Sequence, residues 1–165
     1  MNLRKQRGIG WLVLSALLIA LDQWSKWFVL QHLLPTDVVT WTPFFNIRLA
    51  FNTGASYGLF ANASGWQTTF FSLMAIITTI ILIIWLARLR ITEYGLCLAL
   101  SLIIGGAVGN LVDRLRLSYV IDFFDFHIGN WHFATFNIAD SCITIGIMLL
   151  LWQLCVNSEK DKNGS

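Results

Sequence analysis

The sequence predicts a membrane all-α protein with a small β platform, in which four transmembrane helices are joined by β-rich outer loops on the membrane surface. Both termini are expected to be cytoplasmic. The first supporting observation is composition: 56% of the 165 residues are hydrophobic and only 12% are charged, about half the charged share of an ordinary soluble domain. The second is a set of four long apolar stretches, and the third is a period-two pattern between them. Together they indicate a single integral membrane domain, 1–165.

Four apolar stretches each have roughly 20 residues or more, the length that a helix needs to cross a hydrocarbon core of about 30 Å. They run over about 8–34, 66–87, 94–113 and 137–156. The first is not expected to be a secretory signal peptide. Its apolar run is too long, it contains Asp22 and Lys26, and no small-residue cleavage site follows it.

The basic residues predict the orientation of these helices. Seven of the 11 Lys and Arg residues fall on the side that holds both termini and the 88–93 loop: Arg4, Lys5, Arg7, Arg88, Arg90, Lys160 and Lys162. The opposite side carries Arg48, Arg114 and Arg116, spread over the longer loops 35–65 and 114–136. The positive-inside rule therefore predicts cytoplasmic termini and outward-facing loops. A net charge of only +2 gives no support for nucleic-acid binding.

Both outer loops contain patterns typical of short strands. In FFNIRLAFNTG, apolar residues alternate with polar or small ones, which predicts a strand with one apolar face. The second loop has the aromatic runs SYVIDFFDF and WHFATF, separated by HIGN, which favours a hairpin turn. Both loops also carry aromatic side chains of the kind that settle at membrane interfaces: Trp41, Phe44, Phe45, Trp131 and Phe133. We expect a small β platform on the outer leaflet.

Several chemistries lose support because their motifs are missing from the sequence. The three cysteines, Cys97, Cys142 and Cys155, all lie in predicted spans without a CxxC pair, which favours packing over thiol redox chemistry. The histidines are not at metal-ligand spacing: His32, His127 and His132. The chain also has no GxSxG, HExxH or phosphate-binding glycine loop. We therefore expect neither a metal site nor a cofactor.

Polar residues in and beside the predicted spans gather near the outer face: Asp22, Lys26, Asn110, Asp113, Arg114, Asp122 and Asp140. A carboxylate at the edge of hydrocarbon is costly to keep charged, so it suggests function by default. Asp122 and Asp140 are of most interest. If they approach each other they cannot both ionise easily, and such a pair can hold one proton and activate a water.

Structural interpretations of the same residues remain open. Asp22 and Lys26 could form a buried ion pair that neutralises itself, with no direct functional role. Asn137 and Asp140 have the spacing of a helix N-cap and its N3 partner. The glycine-rich run 105–109 fits close helix packing better than a ligand contact.

Two further aspartates also have an ordinary interpretation. Asp113, beside Arg114 and Arg116, fits an interfacial charge cluster. Asp125 is three residues beyond Asp122, so in a strand it should point to the opposite face and be solvated.

Taken together, five segments of the chain resemble the bacterial lipoprotein signal peptidase family, the type II signal peptidases. These segments are DQWSK, NIRLAFNTGAS, GGAVGNLVDR, VIDFF and FNIADS, in that order over nearly the whole chain. The resemblance implies an intramembrane aspartyl endopeptidase of the bacterial inner membrane, with its active site near the periplasmic face. Its substrate would be a prolipoprotein carrying a diacylglyceryl group on cysteine, cleaved on the amino side of that cysteine.

The resemblance also implies roles for individual residues. Asp122 and Asp140 match the catalytic pair, one ionised to activate water and one protonated to polarise the scissile carbonyl, with the assignment left open. Asp22 and Lys26 match a polar pair of the first helix that we expect to be structural. Positions expected to bind substrate or orient the pair are Asn52, Gly54, Gly106, Asn110, Arg114 and Asn137. The loop 52–57 is a candidate gate; its Ser56 and Tyr57 stand where Ala and Phe are more usual.

The implied partners are diacylglyceryl prolipoproteins, membrane lipids and cyclic peptide inhibitors of the globomycin type, and we expect a monomer. Two other classes of function stay open from the residues alone. A small four-helix transporter would use Asp22 as its proton or substrate site, although such proteins usually keep short loops and place the acid deep in the bundle. A non-catalytic assembly scaffold would tolerate Asp140→Asn.

Overall fold

The computed structural model describes residues 7–54 and 66–163, with side chains described as far as residue 156. A 3₁₀ turn at Gly8–Trp11 leads into α1, and the four helices are α1 (Leu12–His32), α2 (Trp66–Arg88), α3 (Tyr94–Leu117) and α4 (Ile138–Asn163). The strands are β1 (Val38–Thr42), β2 (Phe45–Asn52), β3 (Val120–Ile128) and β4 (Trp131–His132). Ala55, Ser56 and Tyr57, half of the candidate gate 52–57, lie outside the described residues.

Within the described part of the chain, four helical segments are long and apolar enough to span a membrane, which confirms the four predicted spans: Gly8–His32, Trp66–Arg88, Tyr94–Leu117 and Ile138–Val156. The third is longer than predicted, so Arg114 and Arg116 belong to its last turn rather than to a loop. It ends where Ser118 adopts a left-handed conformation with φ 66° and donates its backbone N–H to the Arg114 carbonyl. The orientation of the termini stays a prediction.

Helix α3 is the central helix of the bundle, and it packs against α1, α2 and α4. Of its most apolar 18 residues 56% are buried inside the protein, against 17–22% in the other three spans. Glycines permit this close approach. A Cβ on Gly106 would collide with the Ala139 carbonyl oxygen of α4, and one on Gly109 would lie 2.7 Å from the Asp22 carboxylate of α1. The run 105–109 therefore does serve close helix packing.

The apolar interior at the end of the bundle away from the sheet is formed by side chains of α2 and α3, including Leu86, Leu100 and Ile104. Cys97 is fully buried in this cluster, and Cys142 is buried on α4. Both behave as small packing residues, as expected. Cys155 is exposed on α4.

The four strands form one antiparallel sheet in the order β1-β2-β3-β4. The predicted HIGN hairpin is present, with Gly129 at φ 58° in the turn between β3 and β4. Strand β4 is shorter than the run WHFATF suggested, and Phe136 returns as an isolated bridge to Phe124. Large aromatic side chains, among them Trp41 and Trp131, are exposed on the sheet, as a platform at a membrane interface requires.

The prediction that β2 has one apolar face was wrong in part. Its buried residues are Asn46, Leu49 and Asn52, a spacing of three. The cause is a bulge, since Ile47 pairs with Phe124 but Ala50 pairs with Asp122, so β2 has one extra residue here. A bulge reverses the alternation beyond it, so the two asparagines are buried on opposite faces of the sheet, Asn52 beside Asp122 and Asn46 beside Asp125.

Asp125 is not solvated, contrary to the sequence-based expectation: its side chain is fully buried. Its carboxylate accepts a hydrogen bond from Nδ2 of Asn46 at 3.2 Å and contacts Nδ1 of His132 at 3.0 Å. Nε of Arg48 lies 3.5 Å away. The face of β3 that carries Asp125 is thus covered by polar side chains from β2 and β4. The alternation of residues along β3 alone could not predict this burial.

Candidate active site

Asp122 lies in the part of β3 that faces the helices, and its side chain is fully buried. The antiparallel register places Ala50 opposite Asp122 and Asn52 opposite Val120, so Asn52 is a diagonal neighbour. Nδ2 of Asn52 donates to one carboxylate oxygen of Asp122 at 3.0 Å, and Nδ2 of Asn137 donates to the other at 2.7 Å. Both oxygens of this carboxylate are held by amide donors.

Asp140 lies in the first turn of α4, where the predicted capping arrangement is present. The Asp140 backbone N–H donates to Oδ1 of Asn137 at 2.9 Å, and the Asn137 backbone N–H donates to Oδ2 of Asp140 at 3.3 Å. This reciprocal pair is a capping box. The other oxygen, Oδ1, accepts from Nδ2 of Asn110 at 2.8 Å. The cap and the Asn110 amide therefore fix the carboxylate in place.

The side chain of Asn137 joins the two aspartates. Its Nδ2 group contacts Oδ1 of Asp122, Oδ1 of Asn110 and the carbonyl of Ile121, while its own Oδ1 accepts from Asp140. One amide therefore lies between the two carboxylate-bearing residues. The structure brings together Asp122, Asp140 and the asparagines that were expected to orient them.

Lys26 reaches this cluster from α1. Its Nζ donates to Oδ1 of Asn110 at 2.9 Å and lies 2.8 Å from both Asp22 and Asp113. The residue is 1% exposed. A buried ammonium with three oxygen partners is fully satisfied, because ammonium has three donors and no acceptor.

The charges around Lys26 differ from both structural expectations. Asp22 and Lys26 do not form an isolated pair, since Asp113 shares the ammonium; Asp22 also accepts from the Ala139 backbone N–H at 2.9 Å, at the start of α4. Asp113 is buried rather than part of an interfacial cluster. It accepts from Nε2 of Gln23 at 2.8 Å and from the Ile121 backbone N–H at 3.2 Å.

Asp113 and Gln23 were not among the site residues expected from the sequence. A signal existed for Asp113, which follows Asn110 by three residues and so lies on the same helix face. Gln23 offered none, because its contacts to α3 depend on how α1 packs there. Together these two residues tie α1 to α3 and to the start of β3.

Arg114 is buried beside the two aspartates, close enough to interact electrostatically with both. Its Nη2 donates to the Gly54 carbonyl at 3.2 Å, and its guanidinium lies 5.7 Å from the ring centre of Phe71. The Gly54 backbone N–H in turn donates to Oδ1 of Asn52 at 2.9 Å. Gly54 thus connects Arg114 to the residue that holds Asp122. Gly106, by contrast, lies in the contact between α3 and α4.

A groove of about 260 Å³ opens between α2, α3 and α4. Its walls are mainly apolar and include Phe71, Met74 and Ile147, and its polar members are Thr78, Asn110 and Arg114. The groove thus extends from apolar side chains of three helices to polar residues beside the two aspartates.

Burial raises the pKa of Asp122 from its ordinary value of 3.8 to about 7, with a further contribution from the negative charge of Asp140. Hydrogen bonds from Asn52 and Asn137 and the charge of Lys26 oppose the rise. A carboxyl group with this pKa is protonated in a large fraction of molecules at neutral pH. The pair can therefore hold a proton beside a charged carboxylate, the state that acid–base chemistry on water requires. Among the described residues, no group of three His, Cys, Asp or Glu side chains is placed to hold a metal ion.

Comparison with known proteins identifies the family. The signal peptidase (SPase) II family matches residues 14–156. A lipoprotein signal peptidase of Coxiella burnetii is 50% identical over 158 residues, covering 95% of this chain and 97% of that protein. One from Acinetobacter baumannii is 47% identical over 154 residues, covering 93% and 88%.

Two solved structures share the fold over nearly the whole chain. Both are bacterial membrane enzymes determined by the in meso method. The one at 2.3 Å resolution has a TM-score of 0.80 at 30% identity, covering 94% of this chain and 92% of that one. The one at 1.9 Å resolution has a TM-score of 0.79 at 33% identity, covering 92% and 96%. Because the family match spans most of the chain and the relatives are similar along most of their length, this protein belongs to the signal peptidase II family.

Proposed function

We propose that this protein is an aspartyl endopeptidase that removes the signal peptide from diacylglyceryl-modified prolipoproteins, with Asp122 and Asp140 as its catalytic dyad. The observation that carries the proposal is the position of Asn137, whose amide is hydrogen-bonded to both residues. The raised pKa of Asp122 supports the same assignment, because an aspartyl mechanism needs one carboxyl group to keep its proton.

Asp140 is the better candidate for the general base. It lies in the first turn of α4, where the helix dipole favours a negative charge, and its carboxylate accepts from Asn110 and from the backbone of Asn137. Asp122, with its pKa raised to about 7, is the better candidate for the acid. The two environments separate the roles of two otherwise identical side chains.

The proposed reaction starts with a water between the two carboxyl groups. Asp140 removes a proton from this water as its oxygen attacks the scissile carbonyl carbon, and Asp122 gives its proton to the carbonyl oxygen. The tetrahedral diol then collapses: protonated Asp140 transfers its proton to the leaving amine, the C–N bond breaks, and Asp122 takes back a proton from one hydroxyl of the diol, whose oxygen becomes the carbonyl of the new carboxyl group. The cycle returns both carboxyl groups to their starting states.

The groove between α2, α3 and α4 supports a helical, membrane-embedded substrate. Its apolar walls suit the side chains of a signal helix, while Arg114 can meet the polar backbone of the cleavage segment. With this arrangement the signal helix and the lipid chains on cysteine stay in hydrocarbon while the scissile bond reaches the interface, where water is available.

The location and partners follow from the same proposal. We place the protein in the bacterial inner membrane with both termini cytoplasmic and the dyad near the periplasmic face, on the basis of the distribution of Lys and Arg. We expect a monomer, since a single copy of the chain supplies the asparagines that hold both aspartates. A cyclic peptide inhibitor of the globomycin type would occupy the groove beside Arg114 and compete with substrate.

The alternative functions from other classes fit the structure less well. A transporter would need Asp22 to exchange protons or bind cargo, yet its side chain is 1% exposed and is bonded to Lys26 and the Ala139 backbone. A scaffold would have no use for a carboxyl group whose pKa is raised to about 7 beside a second carboxylate.

The test uses the purified protein in detergent with a diacylglyceryl-modified prolipoprotein as substrate, and release of the signal peptide is measured. Asp122→Asn and Asp140→Asn should each abolish turnover while the thermal unfolding midpoint stays close to that of the wild type. Asp125→Asn is the matched control, since Asp125 is equally buried on the same strand but is bonded to Asn46 and His132 instead. Substantial activity in either dyad variant would disprove the assignment.

A further inference from the structure

Three arginines meet at the end of the bundle opposite the dyad: Arg7, Arg88 and Arg90. Arg7 pairs with Arg90 in an antiparallel backbone bridge, and the Gly8 backbone N–H donates to the Leu89 carbonyl at 2.9 Å. Nη1 of Arg7 donates to the Arg88 carbonyl at 3.3 Å. The segment before α1 is therefore held against the turn between α2 and α3, and these contacts bring the three arginine residues to the same end of the bundle.

Gly8 permits the close contact between the segment before α1 and the end of α2. It is buried, and a Cβ at this position would lie 2.7 Å from the Leu86 carbonyl oxygen and 3.0 Å from Sγ of Cys97. Only glycine lets the backbone approach so closely. The position of Arg7 is thus fixed by packing of the main chain.

The three side chains carry an excess of positive charge at the surface. All three residues are exposed, and no ion pair within the described ranges 7–54 and 66–156 includes any of them. The neighbouring acid is Glu93, whose carboxylate accepts the Arg90 backbone N–H at 2.6 Å and so closes the turn. Among the described side chains at this end of the bundle, three positive charges thus accompany one acid.

The depth of the cluster is that of a lipid headgroup. The first span begins at Gly8 and the second ends at Arg88. The arginines therefore lie at the boundary between the hydrocarbon core and the lipid headgroups that these span ends define. Beside them, Nε1 of Trp11 donates to the Ile91 carbonyl at 3.3 Å, and the Trp11 ring lies 6.3 Å from that of Tyr94. Trp and Tyr at this level are typical of a membrane interface.

We propose that this cluster binds the phosphate of an anionic phospholipid in the adjacent leaflet. Basic groups gathered between helix ends recognise such headgroups, and planar guanidinium groups pair with phosphate oxygens in a bidentate manner. The bound lipid would bridge the segment before α1 and the turn between α2 and α3, which are otherwise joined there by backbone contacts and by the side chains of Arg7 and Trp11. This proposal is independent of the catalytic assignment.

The experiment titrates the full-length protein in neutral detergent with phosphatidylglycerol or with phosphatidylcholine of the same acyl chains. Bound lipid is counted by native mass spectrometry, and the thermal unfolding midpoint is measured in parallel. The test variant is Arg7→Gln/Arg90→Gln, which keeps the backbone bridge. The matched control is Arg116→Gln, because Arg116 is an exposed arginine at the other end of the bundle.

At low salt the wild type and Arg116→Gln should bind phosphatidylglycerol at least 10-fold more tightly than phosphatidylcholine and gain thermal stability from it. The double variant should lose roughly 10-fold or more of that affinity, as expected for removal of two charges near a membrane surface. Equal binding of the two lipids by the wild type, or undiminished binding by the double variant, would overturn the proposal. So would an equal loss in Arg116→Gln, or stabilisation by inorganic phosphate alone to the same extent.

Discussion

The side-chain amide of Asn110 donates a hydrogen bond to Oδ1 of Asp140 at 2.8 Å, and its orientation is dictated from the other side by a lysine. Nζ of Lys26 donates to Oδ1 of Asn110 at 2.9 Å. Because an ammonium can only donate, the amide must turn its oxygen to Lys26 and its N–H to the carboxylate. A buried charge on α1 thus sets the hydrogen bonding of a carboxylate on α4.

The first prediction concerns this amide. Asn110→Ala removes the donor to Asp140 and should lower kcat by roughly 10- to 100-fold, the range expected for a lost hydrogen bond to a charged group. KM should change less, because the bond acts on the dyad and not on the signal helix. Steady-state cleavage kinetics separate the two parameters.

Ser101→Ala is the control for Asn110→Ala. Ser101 is buried on the same helix and donates to the Trp11 carbonyl at 3.2 Å, far from the dyad. Its loss should leave kcat unchanged. A kcat for Asn110→Ala equal to that of this control would show that the amide does not orient Asp140.

Much of the fold could be predicted because it depends on local patterns. Apolar stretches of membrane-spanning length and the turn residues HIGN are visible within short windows of sequence, and both predictions were confirmed. The sequence could not show the bulge between Ile47 and Ala50, since a bulge is a property of two paired strands. The burial of Asn46 and Asp125 follows from that pairing, so it was missed as well.

The candidate site could likewise be predicted where it depends on local sequence and not where it depends on contacts between distant segments. Motifs pointed to its residues, and the capping box at Asn137 and Asp140 was readable from a spacing of three. The contact between Lys26 and Asn110 spans 84 positions in the chain. Nothing in either local segment specifies it, because it depends on how closely α1 and α3 pack.

The second prediction concerns the sharing of Lys26 by two acids. Lys26→Met leaves the carboxylates of Asp22 and Asp113 buried without their cation, which should lower the free energy of unfolding by about 3–5 kcal/mol. Adding Asp113→Asn removes one of these charges and should restore part of the loss. Thermal unfolding of the single and double variants in detergent measures both effects. A Lys26→Met protein as stable as the wild type would contradict the shared ion pair.

The third prediction concerns the contact of α3 with α4. A Cβ on Gly106 would collide with the Ala139 carbonyl oxygen, a backbone atom that cannot rotate away. Alanine is otherwise preferred over glycine in a helix by about 1 kcal/mol, so a lower unfolding midpoint for Gly106→Ala would reflect the collision. Gly10→Ala is the control, because its Cβ would meet Ile91 at an ordinary 3.7 Å. If the two variants unfold alike, the close approach of the helices is not required.

The fourth prediction is a pH profile governed by Asp122. Its pKa is raised from 3.8 to about 7, mainly by burial and then by the charge of Asp140. The acid in the proposed mechanism is the protonated form, so kcat should fall as the pH rises through about 7. The free energy of unfolding should change with pH in the same direction. A carboxyl group whose pKa is higher in the folded protein favours folding at low pH and loses that contribution as the pH rises toward 7.

The asparagines of β2 provide a matched pair for this profile. Nδ2 of Asn52 donates to Asp122, whereas Nδ2 of Asn46 donates to Asp125 on the same neighbouring strand. The bond from Asn52 holds the pKa of Asp122 down. Asn52→Ala should therefore move the alkaline fall in kcat to higher pH, and Asn46→Ala should leave it in place. If the fall stays where it is in Asn52→Ala, or moves to lower pH, the alkaline limb does not report the proton on Asp122, and the roles of the two aspartates would have to be exchanged.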